Sequence, residues 1–117
     1  KNGKIINISS IFGLLSKEKR SSYSSSKFGI LGLTKSSALD LASYNILVNS
    51  ISPGFIDTKL TRKILKLSGM KKMSKVVPVK RLGKVKEIAY LSMFLASSYN
   101  TYITGQNIVI DGGFTSK

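Results

Sequence analysis

Residues 4–33 read KIINISSIFGLLSKEKRSSYSSSKFGILGL: an apolar run, a polar loop and a helical stretch in succession. Ile5, Ile6 and Ile8 give Lys4 to Ser9 the length and β-branched content of a buried parallel strand. Gly13 to Ser22, rich in serine and charge, reads as a loop. Tyr23 to Ala42 is predicted helical, with Phe28, Leu31, Ala38, Leu39 and Ala42 recurring every three or four residues and Ile30, Leu33 and Leu41 widening the stripe. Gly29 and Gly32 each weaken such a helix by about 1 kcal/mol relative to alanine, which suits a face that another backbone approaches closely. Further on, Ile46 to Ile51 forms a second strand that must leave the sheet at Pro53-Gly54, because proline cannot continue a central ladder. A helix from Thr58 to Leu67, a loop from Gly69 to Pro78, a helix from Val85 to Ser97 and a strand from Gln106 to Ile110 complete the chain. In the last helix Ile88, Ala89, Leu91, Phe94 and Leu95 mark the apolar face. Strand alternating with helix is the pattern of a parallel α/β sheet with helices on its faces.

The 117 residues carry no repeat and no internal boundary, so they form one domain at most. With neither cysteine nor histidine, disulfides, thiolate nucleophiles, histidine triads and histidine metal sites are excluded. The five acids, Glu18, Asp40, Asp57, Glu87 and Asp111, are too scattered to suggest a metal loop. Asn7-Ile8-Ser9 matches a glycosylation sequon but falls in the first strand, where chance explains it better. No apolar run approaches the ~20 residues of a membrane span, and a cytoplasmic location is the expectation. The net charge is +14, and eleven cations with no acid lie between Lys59 and Lys86. That stretch is either a solvated lysine-rich loop or a basic lip that attracts an anionic cofactor, acyl carrier or substrate. A nucleic-acid interface is disfavoured, since the stretch lacks the interleaved aromatics that stacking needs.

Tyr23 and Lys27, four apart at the head of the predicted helix, stack a phenol and an ammonium on one face. The cation favours the phenolate, so the tyrosine is suited to give or take a proton. Ser10, thirteen residues upstream at a strand end, supplies a hydroxyl to polarise a carbonyl. The chemistry suggested is hydride transfer coupled to proton exchange.

Five ordered blocks extend this reading: GKIINISSIFG from Gly3, YSSSKFGILGL from Tyr23, VNSISPGFIDT from Val48, Arg81-Leu82-Gly83, and YITGQNIVIDGG from Tyr102. Together they resemble the short-chain dehydrogenase/reductase family, particularly its 3-oxoacyl-acyl-carrier-protein reductases and related sugar and alcohol dehydrogenases. The resemblance runs from Gly3 to Gly113 and implies the C-terminal, catalytic half of a doubly wound parallel-sheet (Rossmann-like) α/β domain, residues 1–117. The family's glycine-rich nucleotide-binding turn and catalytic asparagine have no counterpart here, and Asn2 lies too close to Ser10 to be that asparagine.

By resemblance, Tyr23 is the proton donor or acceptor, Lys27 supports it and binds the nicotinamide ribose, and Ser10, preferred over Ser9, binds the substrate oxygen. In the Pro53-Gly54 segment the resemblance gives Gly54 close approach to the cofactor, Ile56 a main-chain contact to the carboxamide and Thr58 a hydroxyl contact. The implied cofactor is NAD or NADP. The implied partners are a small-molecule or acyl-carrier-linked carbonyl substrate and a second copy of the chain, with no nucleic acid and no membrane. The alternative is an inactive truncated remnant acting only through helix-mediated association.

Overall fold

The computed structural model describes residues 2–116. Its elements are β1 (Gly3–Ile8), α1 (Ser21–Leu41), β2 (Ile46–Pro53), β3 (Ile56–Asp57), α2 (Lys59–Val76), β4 (Gly83–Lys84), α3 (Val85–Ala96) and β5 (Asn107–Ile110). β1, β2 and β5 form a parallel sheet in the order β1-β2-β5, in register Ile5↔Val48 and Ser50↔Asn107. β3 and β4 make a separate two-residue parallel ladder, Ile56↔Gly83 and Asp57↔Lys84.

The centre of the sheet is unusually polar. β2 buries every residue from Val48 to Ser52, yet three of these five are Asn49, Ser50 and Ser52. Their hydrogen bonds go to the segment that leads into β5. Asn49 Nδ2 donates to the Ile103 carbonyl at 2.7 Å, and Asn49 Oδ1 accepts from Gln106 N–H at 3.0 Å. The hydroxyls of Ser50 and Ser52 both donate to Asn107 Oδ1 at 2.8 Å. Buried polar groups are tolerable only when paired in this way. The apolar core around them is small: Ile11, Ala38, Val48, Ile51, Val77, Leu82 and Leu95.

Side-chain alternation along β1 places α1 and α3 on opposite faces. Asn7 Nδ2 donates to Thr34 Oγ1 of α1 at 2.9 Å, and Ser9, two residues on, also reaches α1. Lys4, of the other parity, donates through Nζ to the Asn100 carbonyl in the turn after α3. α1 runs on into a 3-10 turn, Ala42–Tyr44, which stops where Asn45 adopts a left-handed conformation (φ 57°) and donates its N–H back to Ala42, a stop that asparagine tolerates well.

Four expectations require correction. α1 does not bury the apolar stripe read from its periodicity. It buries Ser24, Thr34 and Ala38, while Phe28, Leu33 and Leu39 are 47%, 58% and 80% exposed. Apolar residues lie all round this helix, so hydrogen bonds from Asn7 and Ser9 decide which side meets the sheet. Nothing lies within 4 Å of a side chain built at Gly29 or Gly32, so no backbone of this chain approaches there. The expected loop from Gly69 to Pro78 is instead helical through Val76. No proline interrupts it before Pro78, and the break falls at Lys66, whose φ of 54° and ψ of −178° kink α2. Finally β1 is only partly buried: it is the edge strand of the sheet, and its Ile5 and Ile8 are 40% and 46% exposed.

Candidate active site

The chain leaves β1 at its C-terminal edge through Ser9 and Ser10 into a single 3-10 turn, Ile11–Gly13. The two serines do different things. Ser9 is 3% exposed, and its Oγ donates to the Lys27 carbonyl at 2.9 Å, fastening the strand end to α1. Ser10 Oγ accepts from Phe12 N–H at 3.1 Å, and a hydroxyl that accepts keeps its own proton to donate. The turn needs glycine at its end: a Cβ on Gly13 would fall 2.6 Å from Ser9 Oγ and 2.7 Å from the Lys27 carbonyl oxygen. Turn and helix therefore touch backbone to backbone.

Tyr23 stands in the first turn of α1, its ring edge-on to Phe12 with centroids 6.3 Å apart. It is 41% exposed. One helical turn later Lys27 sends its Nζ to the Ile8 carbonyl at 3.0 Å, which leaves the ammonium 5.7 Å from the Tyr23 ring centroid. An ammonium has three donors, so two remain for another acceptor. Ser10 and Tyr23 share a cavity of about 350 Å³, walled by Phe55 and by Leu60 and Ile64 of α2. The cavity lies beyond the carboxyl ends of parallel strands, where open α/β sheets receive ligands.

The Pro53-Gly54 segment reaches the same edge. Pro53 closes β2 opposite Ile110, and Gly54 N–H donates to the Ile110 carbonyl at 3.0 Å. A Cβ on Gly54 would lie 2.7 Å from that of Asp111, so packing against the end of β5 already requires glycine there. Gly54 borders the Tyr23 cavity. Ile56 instead lines a neighbouring cavity of about 220 Å³ with Arg81 and Glu87. Thr58 caps α2, its Oγ1 accepting from Thr61 N–H at 3.0 Å. Ser10, Tyr23, Lys27 and Gly54 are thus gathered, while Ile56 and Thr58 stand on the segment beyond.

The charge of the Lys59 to Lys86 stretch is partly compensated by acids just outside it. Arg62 pairs with Asp57 at 2.6 Å and Arg81 with Glu87 at 2.7 Å, leaving the nine lysines without an ion pair among the described residues. The Arg62 hydrogen bond holds Asp57 below the usual carboxylate range, against an opposing effect of desolvation. Burial pushes Asp111 up, but hydrogen bonds from Thr115, Gly113 and Phe114 outweigh it and leave the group lowered. Among the described residues no group of acids could hold a metal ion, and no helix is long and apolar enough to cross a membrane.

Two cavity residues, Lys17 and Arg20, are not among the expected site residues. Arg20 lies three positions before Tyr23, a helical neighbour spacing that could have drawn attention to it.

Comparison with known proteins agrees with this architecture. A family model described as enoyl-(acyl carrier protein) reductase matches residues 1–115. The chain is 42% identical over 113 residues to the 3-oxoacyl-(acyl-carrier-protein) reductase FabG of Thermotoga maritima, covering 97% of this chain and 46% of that protein. It is 45% identical over 114 residues to the trans-4-hydroxycyclohexanecarboxylate dehydrogenase of Sinomonas cyclohexanicum, covering 97% and 42%. Among solved structures, a short-chain dehydrogenase family protein from Francisella tularensis superposes with a TM-score of 0.93 at 35% identity, over 97% of this chain and 51% of that one. A gluconate 5-dehydrogenase from Burkholderia cenocepacia, in complex with NADP and tartrate, superposes at 0.91 and 34%, over 99% and 46%. The chain spans about half the length of the curated relatives it matches. From the parallel sheet, the paired Tyr23 and Lys27 on α1 and these matches, the chain belongs to the short-chain dehydrogenase/reductase family.

Proposed function

We propose that this chain carries the catalytic residues of an NAD(P)-dependent oxidoreductase that interconverts a carbonyl and a secondary alcohol. The observation that carries the reading is the shared cavity of Ser10 and Tyr23, with the Lys27 ammonium 5.7 Å from the phenol ring. The donor set fits a nicotinamide nucleoside: Lys27 retains two N–H donors, and the half-exposed phenol stands in front of it. When bound, the cofactor supplies or accepts the hydride.

The residues do the rest. In reduction the Tyr23 phenol gives its proton to the carbonyl oxygen as hydride reaches the carbon, and in oxidation it takes the alcohol proton. Ser10 donates its free hydroxyl hydrogen to the same oxygen, stabilising the charge that develops on it. Lys27, tethered to the Ile8 carbonyl, opposes the negative charge left on the phenol. Leu60 and Ile64 of α2 give the cavity an apolar side. Ile56 and Thr58 are assigned to the carboxamide, and Pro53-Gly54 to the backbone that borders it. A homo-oligomer is proposed through the outer face of α1, where Phe28, Leu33 and Leu39 are exposed beside two glycines with open space above them. A cytoplasmic setting accompanies this reading.

Tyr23→Phe in the full-length protein tests the assignment, since it deletes one oxygen from the cavity. Turnover should fall about 10²–10⁴-fold, the worth of a positioned acid. Binding of NADP, followed by calorimetry, should change little. A variant retaining more than about a tenth of the rate would remove Tyr23 from the chemistry. Lys27→Met should damage both binding and rate.

A further inference from the structure

Resting on that reading, the chemistry of the cavity wall narrows the substrate. Residues 17–20 read Lys-Glu-Lys-Arg, and of these four only the cations Lys17 and Arg20 line the cavity shared by Ser10 and Tyr23. Glu18 and Lys19 do not. No carboxylate lines the cavity at all, so its charge is wholly positive.

Both cations are positioned by aromatic faces rather than by acids. Lys17 Nζ lies 5.7 Å from the Phe12 ring centroid. The Arg20 guanidinium carbon lies 5.9 Å from the Phe12 centroid and 6.0 Å from that of Tyr23. Stacking orients a guanidinium without consuming its N–H donors. Among the described residues neither cation is in an ion pair. Arg20 thus presents an unused planar fork beside the phenol proposed to protonate the substrate, and that fork matches a carboxylate bidentately. Apart from Thr61, the remaining wall is mostly apolar, with Ile11, Phe55, Leu65 and Met73.

We infer that this pocket selects a substrate bearing a carboxylate a few carbons from its reacting carbonyl, and that Arg20, assisted by Lys17, is the specificity-determining residue that binds it. The preferred substrates are then short oxo acids and the corresponding hydroxy acids. In reduction the carbonyl carbon gains the hydride, its oxygen gains the Tyr23 proton, the nicotinamide is oxidised, and the carboxylate is unchanged. An acyl-carrier thioester, neutral near its 3-oxo group, would leave the fork unmatched.

The test uses the full-length protein with acetoacetate and 4-oxopentanoate, each against its methyl ester, so that each pair differs only in charge at one end. For at least one pair kcat/KM should favour the acid by about tenfold or more, the worth of one charge-assisted contact. Arg20→Met should reduce that preference by about the same factor, mainly through KM, and Arg20→Lys should restore part of it. A purely structural stack would lower acid and ester alike and leave the ratio unchanged, which overturns the inference. So does equal use of acid and ester by the unaltered protein. Calorimetric titration of 4-oxopentanoate into the NADP-loaded Tyr23→Phe protein, with and without Arg20→Met, supplies a readout independent of turnover. If the acid binds in an Arg20-dependent manner while neither acid nor ester is turned over by the unaltered protein, the anion site stands and the oxidoreductase reading falls. Absence of Arg20-dependent binding overturns the anion site itself.

Discussion

The Glu87 carboxylate accepts two hydrogen bonds from the Arg81 guanidinium, at 2.7 and 2.8 Å, and one from Lys84 N–H at 2.7 Å. Chiefly through the Arg81 bonds, its pKa falls from 4.5 to about 2. On acidification the unfolded chain takes up this proton first, so the stabilisation is complete above about 4.5 and is lost as the pH falls towards 2. Melting temperature should therefore decline across that interval, and Glu87→Gln should flatten the decline. An unchanged slope in the variant would show that the carboxylate contributes nothing to it. At this scale the placement of Tyr23, Lys27 and Ser10 near one another was legible because each sits in a block whose spacing carries meaning. Lys17 was not, because in a loop of serine and charge it looks like any solvated cation, and Arg20 offered only its spacing from Tyr23. Only the 3-10 turn at Ile11–Gly13, which presents the Phe12 ring, brings them to the cavity.

Among the elements, α2 holds the clearest strain. Lys66 occupies a region of backbone space in which a side chain is disfavoured, at φ 54° and ψ −178°, and α2 contains no buried residue that would fix it there. Lys66→Gly should accordingly raise stability by about 1 kcal/mol, read as a higher urea midpoint at unchanged slope. A lower midpoint would show that the kink is not strained. The three strands were legible to within two or three residues, since β-branched runs bounded by turn signals have few alternatives. The far half of α2 was not, because Gly69 looks like a stop when its contacts are unknown. It packs tightly, a Cβ there falling 3.1 Å from that of Leu65. The buried face of α1 was misread for a related reason. Periodicity counts apolar residues, whereas the Asn7–Thr34 and Ser9–Lys27 hydrogen bonds select a small, polar face.

For the molecule as a whole, the edge of the sheet governs behaviour in solution. β1 has β2 on one side and no strand on the other among the described residues, and its isoleucines are partly exposed. Such an edge is a template for pairing with another chain. The 117-residue chain on its own should sediment as associated species, and Ile5→Lys should shift the distribution towards monomer. Identical distributions for the two would remove the edge as the cause. The parallel class of the sheet was legible from the alternation of strand and helix. The polar centre of β2 sets an order of events during synthesis. Asn49, Ser50 and Ser52 leave the ribosome more than fifty residues ahead of Ile103, Gln106 and Asn107, the groups that satisfy them. Until that late segment emerges, the central strand cannot be desolvated without stranding its amide and hydroxyls. The nascent chain therefore holds its own middle open to water, and closure of the sheet is timed by the arrival of Asn107.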